Sequence, residues 1–204
     1  MIRDHFIEIL GLQHQWSDKT TEAMQQRGIL IRDVVPEWFR HNGAASVARG
    51  GWAPFPLEVQ GKDGIGRKSQ VPWVRFYSPR ESESATDGWY VVYLFAGDGS
   101  GVVLALMHAS THAVGDALIP QDEQSIREAV DWARAELGGW MRHDARLLTQ
   151  ISLRAPKSKV AGPYEKSVVA AFEYSADRVP DDTALVDDLR NMVTALAYLY
   201  NATQ

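Results

Sequence analysis

Cysteine is missing altogether from the 204 residues. That excludes disulfides, thiolate metal sites and cysteine nucleophiles, and it fits a reducing cytoplasm. Long apolar runs are missing too. The longest, around Val102 to Ala109, is strand-sized and falls well short of the roughly 18 residues a membrane helix needs, so no membrane is expected as a partner. The opening Met1-Ile2-Arg3-Asp4-His5-Phe6 carries charge too early for a secretory signal and lacks its apolar stretch. Catalytic signatures are equally scarce. No Gly-x-Ser-x-Gly elbow, kinase set or HNH-like histidine set occurs. The acids around Asp187-Asp188 fall on the expected solvent face of a helix, where they do not form the carboxylate cluster of a nuclease. His108 and His112 stand four apart, but their segment leaves a strand and lacks the Glu of a zincin motif. Catalytic residues, metal and cofactor are all expected to be none.

Basic charge is also in short supply, with a formal net charge of −5. That argues against a non-specific nucleic-acid binder. Its distribution is uneven, however. From Gly61 to Arg80 five cations (Lys62, Arg67, Lys68, Arg75, Arg80) face one acid, Asp63, and from Ile151 to Val168 four (Arg154, Lys157, Lys159, Lys166) face Glu165. Aromatic residues are plentiful, with seven Trp, seven Tyr and six Phe. Trp73, Tyr77, Trp89, Tyr90, Tyr93 and Tyr164 fall near the two basic stretches. Aromatic faces beside cations can stack bases and hold phosphates, and they can equally be core.

Apolar spacing predicts an amphipathic helix from Ile2 to about Trp16, then a second from Thr20 to Val35 capped by Ser17 or Asp18 and ended or kinked by Pro36. His41 to Pro56 reads as an irregular connection. Short strands are expected at Leu57–Gln60 and Pro72–Tyr77, and a hairpin from Trp89–Phe95 through the turn Gly97-Asp98-Gly99-Ser100-Gly101 to Val102–Met107. These hairpin strands lack strict alternation, which predicts cover on both faces. A helix follows from Asp122 to about Leu137, ended by Gly138-Gly139. Strands are expected at Thr149–Leu153 and Ser167–Tyr174. A final helix opens at Pro180-Asp181-Asp182-Thr183 and runs to about Tyr200. The fold class is α+β, a single domain over 1–204: a mainly antiparallel sheet flanked by helices, with a helical extension over 1–43 and a sheet-containing core over 57–204.

The loop Gly61-Lys62-Asp63-Gly64-Ile65-Gly66-Arg67-Lys68 is not a Walker A motif, because no Gly-Lys-Ser/Thr closes it, and no helix follows to make a Rossmann turn. Gly64 and Gly66 permit unusual dihedrals that hold Ile65 at a loop tip, with Arg67 and Lys68 placed for phosphates. An ordinary glycine turn with solvated cations fits the same residues.

Taken in order, the Gly-x-Gly loop, Pro72-Trp73-Val74-Arg75-Phe76, Gly88-Trp89-Tyr90-Val91-Val92-Tyr93-Leu94-Phe95 and the Gly-Asp-Gly-Ser-Gly turn resemble the McrB-type N-terminal domain of modification-dependent (type IV) restriction systems. Met24-Gln25-Gln26-Arg27-Gly28, Pro36-Glu37-Trp38, Tyr164, Phe172-Glu173-Tyr174 and the run from Pro180 through Asp187-Asp188-Leu189 are similar to that family as well, so nearly the whole chain is covered. The resemblance implies a phage-defence module that binds double-stranded DNA with a modified cytosine such as 5-methylcytosine and flips the base into a pocket. The nuclease or NTPase would lie in another domain or subunit, so the chain is expected to be a fragment or one subunit. Ile65 takes the position of the DNA wedge, which is aromatic in the best-known relative. Trp73 takes an aromatic pocket wall, and Leu94 and Tyr164 take further pocket positions. Arg67, Lys68, Arg75, Lys157 and Lys159 are the expected phosphate-binding cations. A protein-interaction or assembly domain that keeps the fold without base reading is the alternative.

Overall fold

A computed structural model describes residues 1–43, 55–64, 66–115 and 117–203. Most of the connection expected over His41–Pro56 therefore lies outside the described residues, as does Ile65. Helix α1 (Ile2–Gln13) buries Ile2, Phe6, Ile9 and Leu10 along one stripe. Helix α2 (Glu22–Ile29) is capped by Thr21, whose hydroxyl accepts from the Met24 amide at 3.3 Å, a cap lying beyond the expected Ser17 and Asp18. Pro36 does not end this segment. A widened π-helical turn over Leu30–Val34 leads into α3 (Val35–Trp38), and a second such turn covers Phe39–Gly43. Proline lacks the N–H for the bond four residues back, and a widened turn absorbs that loss.

Five antiparallel strands form the main sheet in the order β1-β2-β3-β4-β7: β1 (Glu58–Lys62), β2 (Trp73–Tyr77), β3 (Trp89–Phe95), β4 (Gly101–His108) and β7 (Val168–Ser175). A separate hairpin, β5 (Thr111–Val114) with β6 (Ala117–Pro120), follows β4. Next come α4 (Glu123–Glu136), the single turn α5 (Gly138–Met141) and α6 (Ala161–Lys166), and the chain closes with α7 (Asp182–Ala202).

Every residue of β3 is buried, because both faces of the sheet are covered. On one face Val74, Phe76, Val91, Tyr93, Phe95 and Leu104 pack against α1, the α2–α3 segment and α7. Phe6 meets Tyr93 and Phe95 edge-on at 4.8 and 5.3 Å, and Phe39 meets Phe76 at 4.9 Å. The Tyr93 hydroxyl donates to the Leu185 carbonyl of α7 at 3.0 Å, so this buried polar tip is satisfied. Asp182 at the start of α7 accepts from the Ile2 and Arg3 amides, which caps α1 from the other end of the chain. The residues 1–43 thus form one side of the common core. On the opposite face Val71, Trp73, Tyr90, Val92, Leu94, Val103 and Met107 form a second cluster, roofed by Leu153, Ala155, Ala161 and Tyr164.

Four expectations need correction. No strand forms over Thr149–Leu153: Leu148 alone bridges to Ala171, and the chain then leaves the sheet. Its polar groups go elsewhere, with the Leu153 amide on the Glu165 carboxylate at 2.6 Å and the Leu153 carbonyl on the Gly97 amide at 2.7 Å. Gly138-Gly139 does not end helical structure but opens α5, after Leu137 breaks the α4 geometry at φ −90°, ψ 8°. Asp188 is not on the solvent face. It is buried, accepts the Tyr174 hydroxyl at 2.8 Å and is held by Arg146 at 2.7 Å, while Asp187 is exposed. Arg75 is not at the surface either, as described below. No helix among the described residues is long and apolar enough to cross a membrane.

Candidate functional site

The second face of the sheet does not fill. A cavity of about 630 Å³ lies between β1–β4, the Gly64–Ser69 loop, the 84–86 turn, the β5–β6 hairpin and the residues around α6. That is the size range of small-molecule sites, about 300–1,000 Å³. Trp73, Leu94 and Tyr164 line it together, although the last is 70 residues or more from the others in sequence. Trp73 pairs directly with Leu94 across β2 and β3, which puts both side chains on the cavity face. Tyr164 arrives from α6 and shares a hydrogen bond with the Trp73 indole. That bond lowers the hydroxyl pKa, but burial outweighs it and pushes the pKa up to about 12. Tyr90 completes the aromatic walls, with its hydroxyl donating to the Ala85 carbonyl at 3.1 Å. Met107 and the hairpin residues Thr111, Ala113 and Leu118 are lining residues that no sequence motif marks.

The hairpin presents alternate residues to the cavity. Its register pairs Ala113 with Leu118, so these share one face, while His112 and Ile119 share the other. Three cations, Lys62, Arg67 and Lys159, also line the cavity, and no carboxylate does among the described residues.

The glycine loop is held from beneath. Gly64 has φ +113°, and a Cβ there would run into the Arg67 carbonyl. Gly66 has φ +68° with open space around it. The loop closes at its base where the Ser69 amide donates to the Asp63 carbonyl at 2.9 Å. Asp63, 1% exposed, receives Arg27 from α2, Lys68 at 2.9 Å and Arg32 at 3.5 Å. Arg27, 0% exposed, also donates to the Gln13 side chain of α1 and to the Ser69 carbonyl at 2.9 Å. Burial lowers the Arg27 pKa, and the Asp63 carboxylate beside it opposes that fall. Gln13 in turn donates to the Gln70 and Ala96 carbonyls at 3.0 and 2.8 Å, and the Trp16 indole donates to the Ser69 carbonyl at 3.0 Å. The helical pair α1–α2 is therefore the brace of the loop. Nothing in the sequence pattern links Arg27 to Asp63 across 36 positions.

The expected phosphate-binding cations divide. Arg67 and Lys159 are exposed and stand at the cavity. Lys157 is exposed beside them, its ammonium 5.5 Å from the Trp16 ring centre and its amide on the Gln70 side chain at 2.9 Å. That last bond joins the two basic stretches, so they form one surface. Lys68 is largely committed to Asp63. Arg75 does not join the group. It is 1% exposed, donates to Gln60 at 2.9 Å and Ser82 at 3.2 Å, and lies 3.7 Å over the Tyr77 ring. Burial lowers its pKa, with the two flanking tyrosines opposing. A guanidinium already supplied with acceptors and closed off from water shapes the Ser82–Thr86 wall and leaves no surface for a phosphate.

His108 and His112 do not converge on a metal: no cluster of three or more His, Cys, Asp or Glu among the described residues could hold one. Comparison with curated proteins and with solved structures gives no match. The sequence model of the MrcB-like, N-terminal domain family does match, over residues 12–201, and by that near-complete coverage the chain belongs to this family of DNA-recognition modules.

Proposed function

We propose that this domain binds duplex DNA carrying a modified cytosine, accepts the extruded base in the cavity and so directs a nuclease or NTPase domain or subunit to that DNA. The observation that carries this reading is the lining itself: among the described residues, aromatic walls from Trp73, Tyr90 and Tyr164, three cations and no carboxylate, in a chain whose net charge is −5. An aromatic slot ringed by cations suits a flat, apolar base attached to an anionic backbone. Arg67, Lys157 and Lys159 hold phosphates, and they contribute affinity and position rather than sequence choice.

Extrusion leaves a gap in the base stack. In this reading Ile65, between the two positive-φ glycines, fills it. Unstacking costs a few kcal/mol, which the cavity contacts must offset. Burying one 5-methyl group returns on the order of 1 kcal/mol, so discrimination of methylcytosine from cytosine is expected to be modest. No step of bond making or breaking is assigned to this domain. The net negative charge favours a second reading, an assembly domain without base recognition.

Fluorescence anisotropy with modified and unmodified duplexes tests the proposal. Tighter binding to the modified duplex is expected. Trp73→Ala should weaken it roughly 5- to 150-fold, the range for loss of one base–aromatic stack. A 2-aminopurine at the target should brighten on binding. Equal, weak and fully salt-labile binding to both duplexes would leave the assembly reading in its place.

A further inference from the structure

Lys62 closes β1 directly opposite Trp73, and Trp73 stands directly opposite Leu94. Residues paired across antiparallel strands share a face with Cβ atoms about 4.5–5.5 Å apart. The row Lys62–Trp73–Leu94 therefore sets an ammonium at the side of the aromatic wall, and all three residues line the cavity. Lys62 is half-buried. Among the described residues no carboxylate lies within ion-pair reach of it and no acceptor takes its protons. Its charged neighbour is another cation, Arg75, and burial together with Arg75 lowers the Lys62 pKa. Arg75 is fully engaged with Gln60, Ser82 and Tyr77 and cannot turn away. Lys68, six positions on, shows the usual arrangement, with Asp63 at 2.9 Å. A cation drawn part-way out of water without a partner is costly, and an acceptor brought by a ligand removes that cost.

We infer that Lys62 is a ligand-contacting residue of the cavity, its ammonium donating to an oxygen acceptor of the nucleotide whose base lies against Trp73. The acceptor is a base carbonyl or the phosphate of that same nucleotide, either of which an ammonium can serve. This rests on the base-extrusion reading above.

The test uses the full chain with Lys62→Met, which keeps the apolar stem and removes the charge, and Lys62→Arg, which restores a cation. Each is titrated against a duplex with one 5-methylcytosine, the same duplex unmodified, and a modified duplex with a methylphosphonate at the target nucleotide. Lys62→Met should bring the modified duplex down to the affinity of the unmodified one, a loss of roughly 5-fold for a single methyl, with little change on the unmodified duplex and with Lys62→Arg recovering part. A loss that vanishes on the methylphosphonate duplex assigns the contact to phosphate, and a loss that persists assigns it to the base carbonyl. Equal loss on modified and unmodified duplexes, with the salt slope reduced by about one, marks an outer phosphate contact and overturns the inference. So does no loss at all. A wild-type protein without preference for the modified duplex fails the extrusion reading itself, whereas a preference kept by Lys62→Met fails Lys62 alone. Because Lys62 holds no partner among the described residues and its charge is a cost beside Arg75, Lys62→Met should leave the thermal midpoint unchanged or raise it, which separates lost binding from lost fold.

Discussion

Asp63→Ala is the sharpest test of how the glycine loop is held. The substitution strands the Arg27 guanidinium, which is 0% exposed and has Asp63 as its counter-ion. Breaking a buried pair from one side costs about 3–5 kcal/mol, because a charge is left without compensation. Arg27 keeps the Gln13 side chain and the Ser69 carbonyl as acceptors, and Lys68 and Arg32 are partly exposed and can turn to water. The lower end, about 3 kcal/mol, is therefore expected. That is a large share of a domain stability of about 5–15 kcal/mol. At about 2–4 °C per kcal/mol for a chain of this size, the thermal midpoint should fall by roughly 6–12 °C. Urea unfolding followed by tryptophan fluorescence measures the loss, with an unchanged slope showing that two-state behaviour holds. Arg27→Met and the double variant complete a cycle. Removing both charges leaves no stranded ion, so the double variant should cost less than the two singles together by about 1–3 kcal/mol. A single-variant loss under about 1 kcal/mol, the level of an exposed pair, would refute the reasoning, as would strict additivity.

Two further outcomes follow from backbone and burial. Gly64→Ala should cost about 1–3 kcal/mol and Gly66→Ala less, because both glycines have positive φ but only Gly64 has a carbonyl in the path of a Cβ. Equal losses in thermal unfolding would contradict that geometry. Alkaline pH should unfold the domain through its buried tyrosines. Burial raises Tyr90, Tyr93, Tyr174 and Tyr200 and takes Tyr164 to about 12, against about 10 in an unfolded chain. The raised native pKa gives stability that is complete below about pH 10 and declines as the unfolded chain loses protons first, to about pH 12 for Tyr164. Tyr164 alone accounts for about 2–3 kcal/mol. Tyrosinate absorbance should show late ionisation coinciding with loss of fold, and a native titration in which all seven tyrosines ionise together at about pH 10 would contradict it.

The sequence by itself determined the α+β class, the β3–β4 hairpin and the two-sided cover of its strands. It also determined the long apolar face of α7 and the family. These are properties of local periodicity, turn chemistry and motif order, all of which survive in one dimension. It also marked Trp73, Leu94 and Tyr164, but through resemblance, since nothing local says that they meet. Only the tertiary structure brought them to one cavity, through strand pairing between β2 and β3 and the return of α6 over the sheet. The same holds for charge. Arg67, Lys68 and Arg75 read alike in sequence, yet one is exposed at the cavity, one is committed to Asp63 and one is sealed beneath Tyr77. Desolvation and partner geometry decide what a cation can do, and both depend on residues far away in the chain. Lys62 is the reverse case: an ordinary basic residue until cross-strand register set it beside Trp73, without a counter-ion among the described residues.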